Sequence, residues 1–237
     1  MYSFDGMRVL VVGGSSGIGL GTAKVAFEAG ADVTIAGRSE ERLAGAAKAI
    51  GGNVTTAVLD ATDDAAVTDY FAGSGAWNHV AVTIGKGGRG LIQDLDMATA
   101  YAAMDAKFWP YFRIARAAEI VTGGSLTFVT GGLGQRPAPA ASVLSAVNAA
   151  VEGLTRGLAI DFSPTRVNAV SPGAIDTPLW GQLSSDARKA HYERIEATLP
   201  AKRMGQPEDV GQAISMLMGN PFTTGVVLQV DGGSMLL

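Results

Sequence analysis

The sequence predicts an α/β fold in which a doubly wound parallel sheet is covered by helices on both faces. Three observations carry that expectation. Short apolar runs rich in β-branched residues, such as Arg8-Val9-Leu10-Val11-Val12 and Asp32-Val33-Thr34-Ile35-Ala36, alternate along the chain with segments whose apolar residues have helical spacing. Alternation of that kind implies parallel strands joined by crossover helices. A glycine cluster, Gly13-Gly14-Ser15-Ser16-Gly17-Ile18-Gly19, stands between the first run and the first helical segment. Glycines there let the backbone turn sharply and approach a ligand, and the helix start behind them offers unpaired N–H groups to a diphosphate. The spacing is Gly-x-x-x-Gly-x-Gly, and a plain tight turn would use the same letters, so position decides its meaning.

Composition agrees with one enzyme-sized domain over 1–237. The chain has 237 residues, 47% of them hydrophobic, enough for a large core. The net charge of −4, without runs of like charge, argues against nucleic acid or an anionic membrane as a partner. With no cysteine there is neither disulfide nor thiolate chemistry. The start Met1-Tyr2-Ser3-Phe4-Asp5 has no basic and apolar signal pattern, and no apolar stretch approaches membrane-spanning length. A cytoplasmic location is expected.

Taken in order, the first strand over 8–12 leads through the glycine cluster into a helix over 20–29. A second strand covers 32–36, and Ser39 should cap a helix over 40–50 with Glu40 and Glu41 in its first turn. A third strand is expected over 54–59, then a helix ending near Gly73, then a fourth strand over 80–84 that opens into the glycine-rich loop 85–90. A long helix is predicted over 97–121, bent at Pro110. The fifth strand covers 126–130, a helix 142–162 and the sixth strand 167–170. A lid-like region follows over 178–203, then a helix over 207–218 with Pro207 in its first turn, and a seventh strand over 226–230.

So arranged, the chain resembles the short-chain dehydrogenase/reductase family along nearly its whole length, which implies a single-domain Rossmann-like fold with a seven-stranded sheet. Val9 to Gly19 is similar to the family's first strand and glycine loop, with Val12 where threonine is usual. Asp60, followed by Ala61, matches the aspartate that contacts adenine. The segment Asn168-Ala169-Val170-Ser171-Pro172-Gly173-Ala174-Ile175-Asp176-Thr177 is similar to the one that holds the nicotinamide carboxamide and pyrophosphate. The stretches Arg203 to Val210, Thr224-Gly225 and Val230-Asp231-Gly232-Gly233 resemble its C-terminal signatures. The resemblance thus implies a cofactor site drawn from Gly13, Ser15, Ser16, Gly17, Ile18, Gly19, Arg38, Ser39, Asp60, Ala61, Thr83, Gly85, Pro172, Gly173, Ile175 and Thr177. The end of the second strand, Ala36-Gly37-Arg38-Ser39, has no carboxylate for a ribose 2′-OH and carries an arginine suited to a 2′-phosphate. NADP(H) is the expected cofactor, although a solvated arginine in a surface turn would read the same way.

The chemistry departs from the family pattern of a tyrosine acid, a lysine four residues later, a serine and an asparagine. Anchoring on 149–155 puts Asn148 at the lysine position, Leu144 at the tyrosine position, Gly131 at the serine position and Lys107 at the asparagine position. No tyrosine lies between Tyr111 and Tyr192, so a shifted register does not recover the acid. The strand-four motif is altered as well, to Thr83-Ile84-Gly85. A leucine neither donates nor accepts a proton. Two readings stay open: an oxidoreductase of non-standard mechanism acting on a small molecule, with Lys107, Thr130, Ser142, Ser145 or Asn148 supplying polarity, or a cofactor-binding protein without turnover, either a redox sensor or a partner subunit. The plainer expectations are that Lys107 snorkels off its helix, that Ser142 is an N-cap, that Ser145 is a packing residue and that Thr130 satisfies backbone at a strand end.

In the lid region Leu183, Ala187, Ala190, Arg194, Ile195 and Leu199 recur at near-helical spacing and suggest an amphipathic helix pair over the nicotinamide. Trp180 and Tyr192 either line an apolar pocket or pack onto the domain. His191, without a carboxylate partner nearby in sequence, reads as solvated, and His79 as structural. No group of side chains has metal-ligand spacing. A homo-oligomer, most simply a tetramer, is expected from the resemblance, from Ala146, Ala149, Ala150 and Gly153 on one helix, and from the apolar tail Met235-Leu236-Leu237.

Overall fold

A computed structural model describes residues 2–85 and 88–237. Seven parallel strands form one sheet: β1 (Arg8–Val12), β2 (Asp32–Gly37), β3 (Thr55–Val58), β4 (Trp77–Val82), β5 (Ile120–Val129), β6 (Arg166–Pro172) and β7 (Val227–Val230), in the spatial order β3-β2-β1-β4-β5-β6-β7. The helices are α1 (Gly17–Glu28), α2 (Glu40–Ile50), α3 (Asp64–Ser74), α4 (Met97–Asp105), α5 (Phe108–Ala117), α6 (Ser142–Asp161), α7 (Ser185–Thr198) and α8 (Pro207–Gly219).

Alternate residues of each central strand serve opposite cores. Val9 and Val11 of β1 pack into the cluster that also holds Ala23, Ala26, Val210 and Ile214 of α1 and α8. Leu10 and Val12 face the other cluster, with Val67, Tyr111, Ile114 and Val151 of α3, α5 and α6. Burial on both faces is why these strands read as unbroken apolar runs. Ser39 accepts from Arg42 N at 3.3 Å, and Asp63 accepts from Ala65 N and Ala66 N, so α2 and α3 start where their caps place them. At the far end of α8 the buried Arg166 donates to Leu217 O and Met218 O, satisfying carbonyls the helix itself leaves open.

Several expected elements end elsewhere. The single helix predicted over 97–121 is two: Lys107, with φ −138° and ψ −64°, leaves the helical region between α4 and α5. Pro110 therefore falls in the first turn of α5, where its missing N–H needs no partner, and bends nothing. The last predicted residues of that helix belong to β5, which starts at Ile120 because Trp77 pairs with it across from β4. Strand β4 itself runs over Trp77–Val82, so Ile84 lies beyond its end. Helix α1 begins at Gly17, inside the glycine cluster. The lid region forms a 3₁₀ turn over Pro178–Gln182 and one helix, α7, none of whose residues is buried, in place of an amphipathic pair. Against the expectation of no membrane-length apolar stretch, α6 has 20 residues, and an 18-residue stretch of it has a mean hydropathy of 1.2; its inward residues Val151 and Leu158 belong to the second core cluster, and Val147 is buried as well.

Candidate functional site

The strand order reverses between β1 and β4, which opens a crevice beyond their C-terminal ends. The glycine loop fills one wall of it. Gly13, at φ +90°, has room for no side chain: a Cβ would stand 2.7 Å from Thr83 Oγ1. Thr83 in turn donates to Val12 O at 3.0 Å, tying the ends of β1 and β4 together. Gly17, at φ +51°, brings the loop within 3.2 Å (from its would-be Cβ) of Thr177 Cγ2, so the segment after β6 closes on the loop. Pro172 and Ile175 are buried, and Gly173 lies against Asp231.

The residues present fit a dinucleotide diphosphate. Ser16 is the N-cap of α1, yet its side chain makes no capping bond and the first turn holds no acidic residue. The leading N–H groups, those of Ile18 and Gly19 among them, are left for an anion. Ser16 Oγ accepts instead from Arg42 Nη2 at 3.0 Å. At the other end, Arg38 is exposed at the end of β2, and Ser15 and Ser39 flank it in the loop and at the α2 cap. Asp60 Oδ1 accepts from Thr62 N at 2.9 Å and Thr62 Oγ1 at 2.7 Å, bonds that hold its carboxyl below the usual range, with Arg38 adding to the effect. Ala61 beside it is buried. The sequence reading missed Arg42. Its place one turn after Arg38, in a helix capped by Ser39, was the available signal.

Beyond the C-terminal ends of β4 and β5 the structure brings Lys107, Thr130 and Asn148 together. Lys107 Nζ donates to Thr130 O and to Asn148 Oδ1, each at 2.8 Å. The lysine is 8% exposed, so the snorkelling expectation is wrong. The residue falls at the non-helical step between α4 and α5, which turns its side chain inward under Gly85, where a Cβ would stand 3.2 Å from Lys107 Cδ. Desolvation lowers its pKa to about 7, against the opposing pull of Glu152. A neutral amine has two N–H donors for these two acceptors; the ammonium's third proton has no acceptor among the described residues. Tyr111, one turn along α5, donates to Ile84 O and Val129 O, and burial drives its pKa far up.

The candidate hydroxyls and the remaining candidate positions do not join this cluster. Thr130 Oγ1 donates to Val170 O at 3.3 Å, as a strand-end residue does, and only its carbonyl meets Lys107. Ser142 is exposed and is the first residue of α6, whose N-cap is Ala141, so it caps nothing. Ser145 is buried with its hydroxyl unpartnered among the described residues. Leu144 is half-buried, and a Cβ on Gly131 would lie 3.3 Å from Asn148 Nδ2. Sequence reading also missed Glu152, which is 5% exposed. The spacing of Ser145, Asn148, Glu152 and Thr155, a polar stripe through an apolar helix, could have pointed to it.

In the lid, Trp180 Nε1 donates to Ile175 O at 2.7 Å and its ring meets that of His191 at 4.3 Å. Tyr192 OH donates to Asp176 Oδ1. These two aromatics pin α7 to the segment after β6. His191 is half-buried, bonded to Arg194 and lowered in pKa by desolvation and that arginine, so the solvated reading is also corrected. His79 is the third residue of β4, where Nδ1 meets Ser125 Oγ at 2.9 Å and burial lowers its pKa to about 4.

Comparison with known proteins bears on the family and the fold. A family model described as enoyl-(acyl carrier protein) reductase matches residues 12–235. A short-chain dehydrogenase/reductase of Stachybotrys chlorohalonatus is 30% identical over 253 residues, spanning 100% of both chains. The crystal structure of a small-chain dehydrogenase in complex with NADPH superposes with a TM-score of 0.82 at 33% identity, covering 98% of this chain and 100% of that one. An NADPH-bound short chain oxidoreductase from Pseudomonas aeruginosa, described as containing an atypical catalytic center, gives a TM-score of 0.90 at 26% identity, over 99% and 98% of the two chains.

Proposed function

The chain belongs to the short-chain dehydrogenase/reductase family, and from that premise we propose that it is an NADP(H)-dependent oxidoreductase of non-standard mechanism in which Lys107 is the proton source. In this reading the 13–19 loop and the start of α1 receive the diphosphate, Arg38 and Ser39 the 2′-phosphate, and Asp60 and Ala61 the adenine. Thr83, Gly85, Pro172, Gly173, Ile175 and Thr177 surround the nicotinamide half. NADPH, when bound, supplies a hydride there. The carbonyl oxygen of a small substrate then needs a proton, which Leu144 lacks. Lys107 holds one that its two acceptors do not use, and a pKa of about 7 makes that proton available at neutral pH. Transfer leaves a neutral amine still bonded to Thr130 O and Asn148 Oδ1, and water restores the proton.

The observation that carries this reading is the contact between Lys107 Nζ and Asn148 Oδ1. In this reading an ammonium supplied from the α4–α5 junction, in contact with the side chain at 148, takes the place of the one the family pattern puts on α6. The solved NADPH-bound oxidoreductase with an atypical catalytic center supports it, as a relative of the same architecture. The test is NADPH oxidation with a carbonyl panel. Lys107→Met should keep NADPH binding and lose turnover by about 10²–10⁴-fold; unchanged turnover would remove Lys107 from the mechanism. The second reading, NADP(H) binding without turnover, is favoured by the absence of any hydroxyl at Gly131 and Leu144. Tight NADPH binding with no consumption on any substrate would select it.

A further inference from the structure

The inward face of α6 carries a polar column. Ser145, Asn148, Glu152 and Thr155 are spaced three or four residues apart and all are buried, so they share that face. Thr155 returns its hydroxyl to Val151 O, and Asn148 accepts from Lys107. Glu152 is the one charged member of the column. Among the described residues it has no ion pair, and its hydrogen-bond partner is Gln135, whose Nε2 lies 3.4 Å and 3.3 Å from its two oxygens. Gln135 is delivered by the 3₁₀ turn Gly132–Gly134, which crosses directly over this face. A Cβ on Gly134 would stand 3.0 Å from both Glu152 Oε1 and Asn148 Cβ. A carboxylate enclosed this way, without a bonded cation, is costly unless its field serves a charge nearby.

That charge is Lys107, which Asn148 joins to the same helix face one turn away. We propose that Glu152 is a positioning residue for Lys107: its carboxylate, kept inside by Gln135 and the Gly132–Gly134 turn, holds the amine as a cation seated on Asn148 Oδ1 and Thr130 O. Among the described residues no other charge faces the site. Tyr111 on α5 is tied to two carbonyls and is a neutral phenol, Asp105 at the end of α4 is exposed, and the ends of β4 and β5 bring Thr83, Gly85 and Thr130. The direction agrees, since burial lowers the Lys107 pKa and Glu152 opposes that fall. The inference deepens the proton-source reading and rests on it for its chemical meaning, but its test needs no turnover.

The test is side-chain NMR of the full chain, following lysine Nζ and Cε shifts with pH; the Lys107 signal is identified by its loss in Lys107→Met. Glu152→Gln keeps the shape of the side chain and removes its charge, and should lower the Lys107 midpoint by about one pH unit. In the unmodified protein the Glu152 Cδ shift should move at the Lys107 midpoint, because coupled groups respond to each other's charge. An unchanged midpoint in a folded Glu152→Gln variant overturns the proposal. If that variant does not fold, a flat Glu152 Cδ trace through the Lys107 midpoint overturns it instead. A Lys107 midpoint left near 10.5 with a matching response at Glu152 supports the coupling and rejects the proton-source reading.

Discussion

Replacing Lys107 with methionine exchanges a buried amine for an apolar side chain of similar length, and the stability difference between the two proteins should depend on pH in a fixed sense. Folding moves Lys107 from 10.5 to about 7, with desolvation as the cause. Below pH 7 the group is charged in both folded and unfolded chains, so the native protein carries the full penalty of an enclosed cation. Between about pH 7 and 10.5 the unfolded chain keeps a proton that the folded chain has released, and stability of the native protein rises with pH. At about 1.4 kcal/mol per pH unit, that fall corresponds to about 5 kcal/mol as a ceiling. The hydrogen bonds to Thr130 O and Asn148 Oδ1 survive deprotonation, so their loss in Lys107→Met is a constant offset of about 1–3 kcal/mol. The assay is urea unfolding by circular dichroism from pH 6 to 10 at one protein concentration. Groups common to both proteins cancel in the difference. That difference should be flat at the acid end and climb by several kcal/mol in favour of the native protein between pH 7 and 10. Parallel curves over the whole range would refute the argument, because they would mean that folding leaves the Lys107 proton where it was.

Other outcomes follow from the same site. Arg38→Ala should weaken NADPH binding by roughly one to two orders of magnitude in calorimetric titration and leave NADH unchanged, given about 1.5–3 kcal/mol for bonds to a charged phosphate; equal affinities for both cofactors would remove the assignment. Installing Gly131→Ser, Leu144→Tyr and Asn148→Lys should create carbonyl reductase activity only when Lys107→Asn is added. A lysine at 148 would otherwise meet the Lys107 ammonium, which now sits 2.8 Å from Asn148 Oδ1, and a triple variant as active as the quadruple one would contradict that clash. Light scattering at micromolar concentration should return a homo-oligomer, with a tetramer expected. Ala146, Ala149 and Gly153 lie exposed on α6 and Leu236 is 83% exposed, and a monomer mass would count against it.

The sequence by itself determined the parallel sheet, the alternation of strands and helices, and the choice of NADP(H). Those features are local: a β-branched run, a glycine that alone tolerates φ +90° at Gly13, and a cap such as Ser39 each specify their own neighbourhood. Strands buried on both faces leave a mark that survives without knowing what covers them. The chemistry of Lys107 was not of that kind. Its sequence neighbours describe a helix, and a long charged side chain on a helix ordinarily reaches water. Only the tertiary structure decided otherwise, because the break between α4 and α5 turns the residue inward, where β5 and α6 supply acceptors from 23 and 41 positions away. The same holds for Arg42 on Ser16 and for Glu152 under the Gly132–Gly134 turn. A propensity belongs to a residue and its neighbours in sequence, whereas a pKa belongs to whatever the fold packs around it, and the fold assembles that surrounding from distant segments.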